Sequence, residues 1–233
     1  MNKGLIFLLC YFALCNVAYA QADRASLERT LEANNVQGKI ISNSDLGSGL
    51  SMVVIEISNQ HVPFLATNDG KMLFQPDVSI FQDKNTQTYI QGFYKEFYAK
   101  EKVNIDTRLQ DIFKVRSEQV FSFKSKKNTK KTIYIVSDPN CPYCQKEFAN
   151  LNKRLEEANV KLLLVGFLGE DSMFKVAHAL KNKTGNQAKD MAMLGGLYAP
   201  KTKAKPIDTK MAKILTQAIA DAGVRSVPYI IGE

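Results

Sequence analysis

The chain has 233 residues, with 31 Lys and Arg against 23 Asp and Glu, a formal net charge of +8, and no tryptophan. That length allows one large domain or two small ones. A basic balance raises nucleic acid and membrane surfaces as partners. The densest basic run, Lys124-Ser125-Lys126-Lys127-Asn128-Thr129-Lys130-Lys131, argues against nucleic acid. It precedes an apolar strand and has no interleaved aromatics on which bases would stack, so it reads as a solvated linker.

Residues 1–20 read as a secretory signal peptide. Lys3 supplies the positive start, Gly4 to Cys15 the apolar run, and Ala18-Tyr19-Ala20 the small-x-small cleavage signal, with cleavage expected after Ala20. The apolar run is shorter than the ~20 residues needed to span a bilayer. Leu14 before Cys15 argues against lipid attachment there, and no other segment reads as a membrane span. Loss of the leader removes Cys10 and Cys15, leaving Cys141 and Cys144 as the only cysteines. Disulfides persist outside the cytosol. A bridge between these two closes too small a loop to constrain the unfolded chain much, so redox chemistry explains the pair better than stabilisation.

In chain order, Asp23 to Asn34 reads as a short amphipathic helix with Leu27, Thr30 and Leu31 on one face. Lys39-Ile40-Ile41 and Leu50 to Ile57 are strand-like, and His61 to Ala66 and Lys71 to Phe74 flank the hairpin signal Asp69-Gly70. This predicts a small antiparallel sheet with one helix, over 21–86. So small a unit buries little apolar surface alone, and pairing with a second copy is the natural remedy. Tyr89 to Lys100 reads as helix, with Ile90, Phe93, Tyr94, Phe97 and Tyr98 forming a packing stripe, within a linker helix over 87–117. From 118 to 233 strands and helices alternate. The strands are Lys131 to Ser137, Val160 to Leu168 and Val227 to Ile231. The helices are Pro142 to Glu157, Asp171 to Lys181 (begun by Asp or Ser as N-cap), Ala188 to Leu194, and Thr209 to Ala222 ended by Gly223. This order predicts a largely parallel sheet covered by helices.

The Cys141-Pro142-Tyr143-Cys144 motif follows a strand and opens a helix. Pro142 suits the first helical position, which places Cys141 at the N-cap, where unpaired N–H groups and the helix dipole favour an anion. Cys141 is the expected nucleophile. Cys144 falls on the apolar stripe with Phe148, Leu151 and Leu155, inward of the more exposed Cys141, and is the expected resolving thiol of a redox disulfide. Zinc needs four ligands, and beyond this pair the chain offers only His61 and His178. Haem attachment needs a histidine where Gln145 stands, and His178 in its helical run is a weak partner for a Cys–His hydrolase. No metal and no cofactor are expected.

The segment Ser137-Asp138-Pro139-Asn140-Cys141-Pro142-Tyr143-Cys144-Gln145-Lys146 resembles the active-site segment of the periplasmic DsbC/DsbG group of disulfide isomerases. Val160 to Leu168 with Asp171 to Lys181 resembles the stretch that follows it, and Val224-Arg225-Ser226-Val227-Pro228 resembles the cis-proline loop of thioredoxin folds. The N-terminal pattern with Asp69-Gly70-Lys71 in a hairpin fits as well. The resemblance implies an α+β N-terminal dimerisation domain, a linker helix, and an α/β thioredoxin-fold domain with a helical insertion, paired into a V-shaped homodimer in the periplasm. It implies that Pro228 is cis and faces Cys141, and that Val227 and Pro228, with Pro142 and Tyr143, meet the substrate. Misoxidised exported proteins are the implied substrates and a membrane thiol reductase of the DsbD type the implied partner. Val227 stands where this group usually has Thr and matches DsbA oxidases instead, so isomerase, reductase and DsbA-like oxidase stay open. A chaperone or interaction module with a vestigial C-x-x-C is the reading from another class. The chain stops at Glu233, directly after the proline strand, so the C-terminal end of the fold is expected to be short.

Overall fold

Residues 21–47, 49–75 and 84–232 are described by a computed structural model. They divide between two compact units, Met1–Ile80 and Phe81–Glu233. The signal peptide expected over 1–20 lies outside the described residues.

The first unit opens with α1 (Arg24–Ala33), where the Asp23 carboxylate accepts from the Ser26 N–H at 2.9 Å and caps the helix. Leu27 and Leu31 are buried, and the half-buried Thr30 donates its hydroxyl to the Gly70 carbonyl. Four antiparallel strands follow in a meander: β1 (Gly38–Gly47), β2 (Leu50–Ile57), β3 (Gln60–Thr67) and β4 (Leu73–Phe74). Ile40, Val53, Ile55 and Ala66 pack with the two helix leucines into one core. Between β2 and β3 the chain turns on Ser58 and Asn59, both left-handed (φ 50° and 60°), as a two-residue hairpin matching strand twist demands. Ser-Asn carries no glycine and is a weak turn signal, which is why the sequence did not reveal this hairpin. Ser51 and Asn68 clasp the start of α1: the Ala22 N–H donates to Ser51 Oγ, which donates to Asn68 Oδ1.

The second unit begins with α2 (Lys84–Val115), a 32-residue helix far longer than its aromatic stripe. Leu109 and Phe113, near its C-terminal end, pack into a core with Leu163, Ile219 and Val224. The sheet order is β5-β7-β6-β8. Its strands are β5 (Phe121–Phe123), β6 (Thr132–Ser137), β7 (Asn159–Leu164) and β8 (Tyr229–Ile231). Only β6 and β7 are parallel, while β5 and β8 run antiparallel to their neighbours. The expected largely parallel sheet is therefore mixed. One helical crossover joins β6 to β7, but the long excursion from β7 to β8 brings the chain back in the opposite sense. β5, three residues long, has too short an apolar run to show a period.

Four element boundaries differ from the sequence reading. The expected single helix from Pro142 to Glu157 is two, α3 (Pro142–Ala149) and α4 (Leu151–Arg154), parted at Asn150. The Asn150 N–H reaches the Lys146 and Glu147 carbonyls, tightening the turn, and asparagine is a poor helix interior residue. β7 ends at Leu164 rather than Leu168, because the Gly166 N–H leaves the sheet to donate to Thr216 Oγ1 at 2.9 Å. α5 (Glu170–Lys181) is preceded by Gly169 at φ 101°, not capped by Asp171 or Ser172, whose side chains are engaged elsewhere. α6 (Gln187–Tyr198) runs four residues beyond Leu194, capped by Asn186. α7 (Lys210–Asp221) ends at Gly223, φ 103°.

Gly70 provides a test of the first unit. At φ 70°, an added Cβ would lie 2.7 Å from the Asp23 carbonyl oxygen and 2.7 Å from Ser26 Cβ. Gly70→Ala is expected to lower the unfolding free energy of this unit by about 2 kcal/mol, through left-handed strain plus the clash with α1. Urea denaturation of the exported protein followed by circular dichroism measures the change.

Candidate active site

Strand β6 delivers the chain to the site and helix α3 carries it away. Cys141 is the residue before α3, in extended conformation (φ −75°, ψ 122°), with Pro142 as the first helical residue. Its own N–H donates to the Asp138 carbonyl at 3.0 Å, and its carbonyl accepts the first intrahelical bond from Gln145 at 2.9 Å. The Cys141 thiol therefore projects from a helix N-terminus without serving as a cap, and it donates to the Val227 carbonyl at 3.3 Å. Pro228 follows a cis peptide bond. The structure thus brings together Cys141, Cys144 and Val227 from segments far apart in the chain.

Both cysteines are free thiols. Their difference in exposure is smaller than the helical pattern suggested: Cys141 is 6% exposed and Cys144 0%. The Val227 segment covers Cys141, which a view of α3 alone does not anticipate. Cys144 Sγ accepts from the Asp138 N–H at 3.4 Å. Burial pushes the Cys144 thiol up to about 12, outweighing the Asp138 N–H. Tyr143 is 70% exposed, with Lys146 Nζ 5.7 Å from its ring centre, and Pro142 is exposed beside it.

The residues that organise the site lie mostly outside the C-x-x-C. Asp138 is wholly buried. Its Oδ1 accepts from the Asn140 N–H and the Ser172 hydroxyl, both at 2.8 Å, and its Oδ2 from the Leu168 N–H at 2.9 Å. Asn140 Nδ2 donates to Asp171 Oδ2 at 2.8 Å, and the Ala204 N–H donates to Asp171 Oδ1 at 3.0 Å. Burial raises the Asp171 carboxyl, but these bonds and the charges of Lys203 and Lys175 together hold it below its ordinary value. Lys175, 1% exposed, places Nζ 3.9 Å from Asp171; burial lowers its amine despite the attraction of that carboxylate. On the other side of Cys144, the buried Tyr198 hydroxyl donates to Ser137 Oγ at 2.7 Å, and its ring stacks on Phe148 with centres 4.4 Å apart. The signal for these roles was present only as Ser137-Asp138 at the end of a strand just before the motif. Tyr198 gave none. His178 pairs through Nε2 with the Lys205 carbonyl at 2.8 Å. Among the described residues no three His, Cys, Asp or Glu side chains gather to hold a metal.

Comparison with known proteins agrees with this geometry. Residues 27–109 match the family described as disulfide isomerase DsbG N-terminal, and residues 123–232 match the thioredoxin-like domain. The thiol:disulfide interchange protein DsbG of Pseudomonas aeruginosa is 23% identical over 190 residues, covering 81% of this chain and 71% of that one. The chain thus joins a DsbG-type N-terminal domain to a thioredoxin-like domain. Among solved structures, Helicobacter pylori DsbG is 22% identical with a TM-score of 0.49, covering 89% of this chain and 99% of that one. The thiol-disulfide exchange protein alpha-DsbA2 of Wolbachia pipientis is 14% identical with a TM-score of 0.44, covering 57% and 86%. In this chain no helix among the described residues is long and apolar enough to cross a membrane.

The elevated Cys144 thiol leads to a reactivity test. In a Cys141→Ser protein, Cys144 is expected to react with iodoacetamide at least about tenfold more slowly near pH 8 than an unfolded-peptide cysteine, because almost none of it is thiolate. The rate should climb about tenfold per pH unit up to about pH 11, following the thiolate fraction. Mass spectrometry of timed samples measures it.

Proposed function

We propose that this DsbG-type thiol–disulfide oxidoreductase is exported to the periplasm, with its leader cleaved after Ala20, and acts there as a homodimeric isomerase or reductase of misoxidised exported proteins. The observation that carries the mechanism is the position of the Cys141 thiol: at the N-terminus of α3, 3.3 Å from the Val227 carbonyl, with the buried Cys144 behind it in the same helix. The open N–H groups of the first helical turn favour negative charge on sulfur at Cys141. In this reading the Cys141 thiolate attacks a substrate disulfide and forms a mixed disulfide, releasing the other substrate sulfur as thiolate. Isomerisation is complete when a second substrate thiolate displaces Cys141. Reduction is complete when Cys144 does so, leaving the Cys141–Cys144 disulfide, which a membrane thiol reductase of the DsbD type would then reduce.

Val227, Pro228, Pro142 and Tyr143 are assigned to the substrate. The Val227 carbonyl that now accepts from Cys141 is the nearest backbone group to an incoming sulfur, and the exposed Tyr143 ring offers apolar contact beside it. The DsbG-type N-terminal domain supports dimer formation through the first unit. A DsbA-like oxidase is the second reading, favoured by Val227 before the proline.

Cys141→Ser is expected to abolish reshuffling of a scrambled disulfide substrate, whereas Cys144→Ala should accumulate mixed disulfides seen on non-reducing gels. Reshuffling that survives Cys141→Ser would instead favour a chaperone. The pair trapped by alkylation in the periplasm should be mainly reduced; a mainly oxidised pair points to the oxidase. Gel filtration at micromolar concentration should return a dimer.

A further inference from the structure

The five lysines between β5 and β6 read from the sequence as a solvated linker, but the structure ties that loop down. The Lys124 N–H donates to Gln187 Oε1 of α6 at 2.7 Å, and the Lys126 N–H to the Leu155 carbonyl at 2.9 Å. The Ser125 hydroxyl donates to the same carbonyl at 2.8 Å, and its N–H to Asn159 Oδ1 at 3.0 Å. Asn159 Nδ2 donates to the Thr129 carbonyl at 2.9 Å, and the Asn159 N–H to the Lys131 carbonyl at 2.9 Å. The loop is thus stitched at both ends to the start of β7. It presents Lys124, Lys126, Lys127, Lys130 and Lys131, all exposed. Among the described residues no carboxylate lies within ion-pair distance of any of the five. Glu156 and Glu157 in the adjoining turn are offset by Lys153 and by Lys161, which lines the same open hollow as Lys124, Lys126 and Lys127. Like charges fixed side by side repel, and an anionic partner relieves that repulsion.

We propose that this loop is a docking surface for an anionic phospholipid bilayer, on which the thioredoxin-like domain rests with its thiols directed away from the membrane. Strand direction separates the charge from the chemistry. β6 starts at Thr132, next to the loop, and ends at Ser137, next to the active-site turn. Six extended residues span roughly 17–20 Å. A partner held by the lysines therefore sits at the opposite end of the central strand from Cys141 and does not cover it. Two features favour a lipid surface over an acidic protein. Protein contacts are anchored by aromatic or arginine side chains seated in pockets. The loop offers only lysines, and the large apolar side chains left exposed among the described residues lie elsewhere. Lysine is a compact, hydrated point charge on a flexible stem, which suits headgroups whose positions are not fixed. A polybasic cluster gains from such headgroups by charge alone, each lysine adding about fivefold in binding. Attachment without apolar insertion is reversible and is screened by salt. The inference does not depend on which redox reaction the thiols perform.

The test uses the exported protein and sedimentation with vesicles of mixed phosphatidylglycerol and phosphatidylcholine. Partitioning should be strong at low salt, lost at high salt, and absent on vesicles of phosphatidylcholine alone. Lys126→Gln, Lys127→Gln and Lys130→Gln combined should lower the partition coefficient about a hundredfold, the product of three lysines. Lys95→Gln, Lys100→Gln and Lys213→Gln combined remove the same charge from exposed positions on α2 and α7. That control should change the coefficient less than about twofold, because charges beyond a screening length from the surface contribute little. None of these lysines belongs to the active site, so disulfide exchange in solution should be unchanged in both variants. Iodoacetamide should reach Cys141 on vesicle-bound protein at the rate measured without vesicles. Equal losses in the two triple variants, binding to neutral vesicles, or shielding of Cys141 on the vesicle would overturn the proposal. Tighter binding to soluble polyglutamate than to the anionic vesicles would overturn it too, and would assign the loop to an acidic protein.

Discussion

The site is built around a carboxylate taken out of water. Asp138 ends wholly buried where β6 gives way to the active-site loop, and burying an ion is tolerable only if hydrogen bonds replace its hydration. Three donors do so, and each comes from a different part of the site: Asn140 from the loop before Cys141, Leu168 from the segment after β7, and Ser172 from α5. The charge therefore acts as a fixed point on which three separate segments converge. Its own backbone completes the arrangement, because the Asp138 N–H reaches Cys144 Sγ and its carbonyl receives the Cys141 N–H. Removing the carboxylate would strand three donors at once, which is why the geometry of both cysteines depends on it.

Around that point the two thiols have different partners. Cys141 is the residue before α3, and its sulfur donates to the Val227 carbonyl. Cys144, one turn along, is surrounded by apolar core that includes Leu151, Leu162 and Leu164. That core keeps the thiol protonated until there is a reason to ionise. Position in the helix, not burial, distinguishes the two: positions three apart at a helix terminus put one sulfur at the helix end and the other on the packed face.

Much of this was legible in the sequence. The C-x-x-C after a strand, with proline at the first helical position, revealed the N-cap and the inward stripe, because those depend only on local periodicity. The small N-terminal sheet was legible through β-branched runs and Asp69-Gly70. What escaped was set by contacts distant in sequence. Asp171 and Ser172 look like helix caps, yet tertiary partners take both side chains, so α5 starts without one. β5 is three residues long and is a strand only because β7 lies beside it. Tyr198 looks like one more residue of a helix until the fold places its hydroxyl on Ser137, 61 residues away. The near-equal burial of Cys141 and Cys144 was likewise invisible, since the cover over Cys141 comes from Val227, 86 residues away.

The second unit also explains how the long helix relates to the chemistry of its own domain. Tyr229 of β8 donates its hydroxyl to Asp106 of α2 at 2.8 Å, and Lys102 lies both against that carboxylate and 5.4 Å from the Tyr229 ring centre. One residue before Tyr229 is Pro228, and one before that is Val227, whose carbonyl meets Cys141. The C-terminal half of α2 is thus anchored to the strand that holds the proline loop, through a polar clamp above an apolar contact of Leu109 and Phe113 with Val224 and Ile231. An isolated tyrosine–carboxylate bond at a half-buried site contributes only about 1 kcal/mol. Its value here is in direction: it ties the strand to a fixed point on α2. Two residues before that tyrosine is Val227, so α2 is tied through β8 to the segment that covers Cys141.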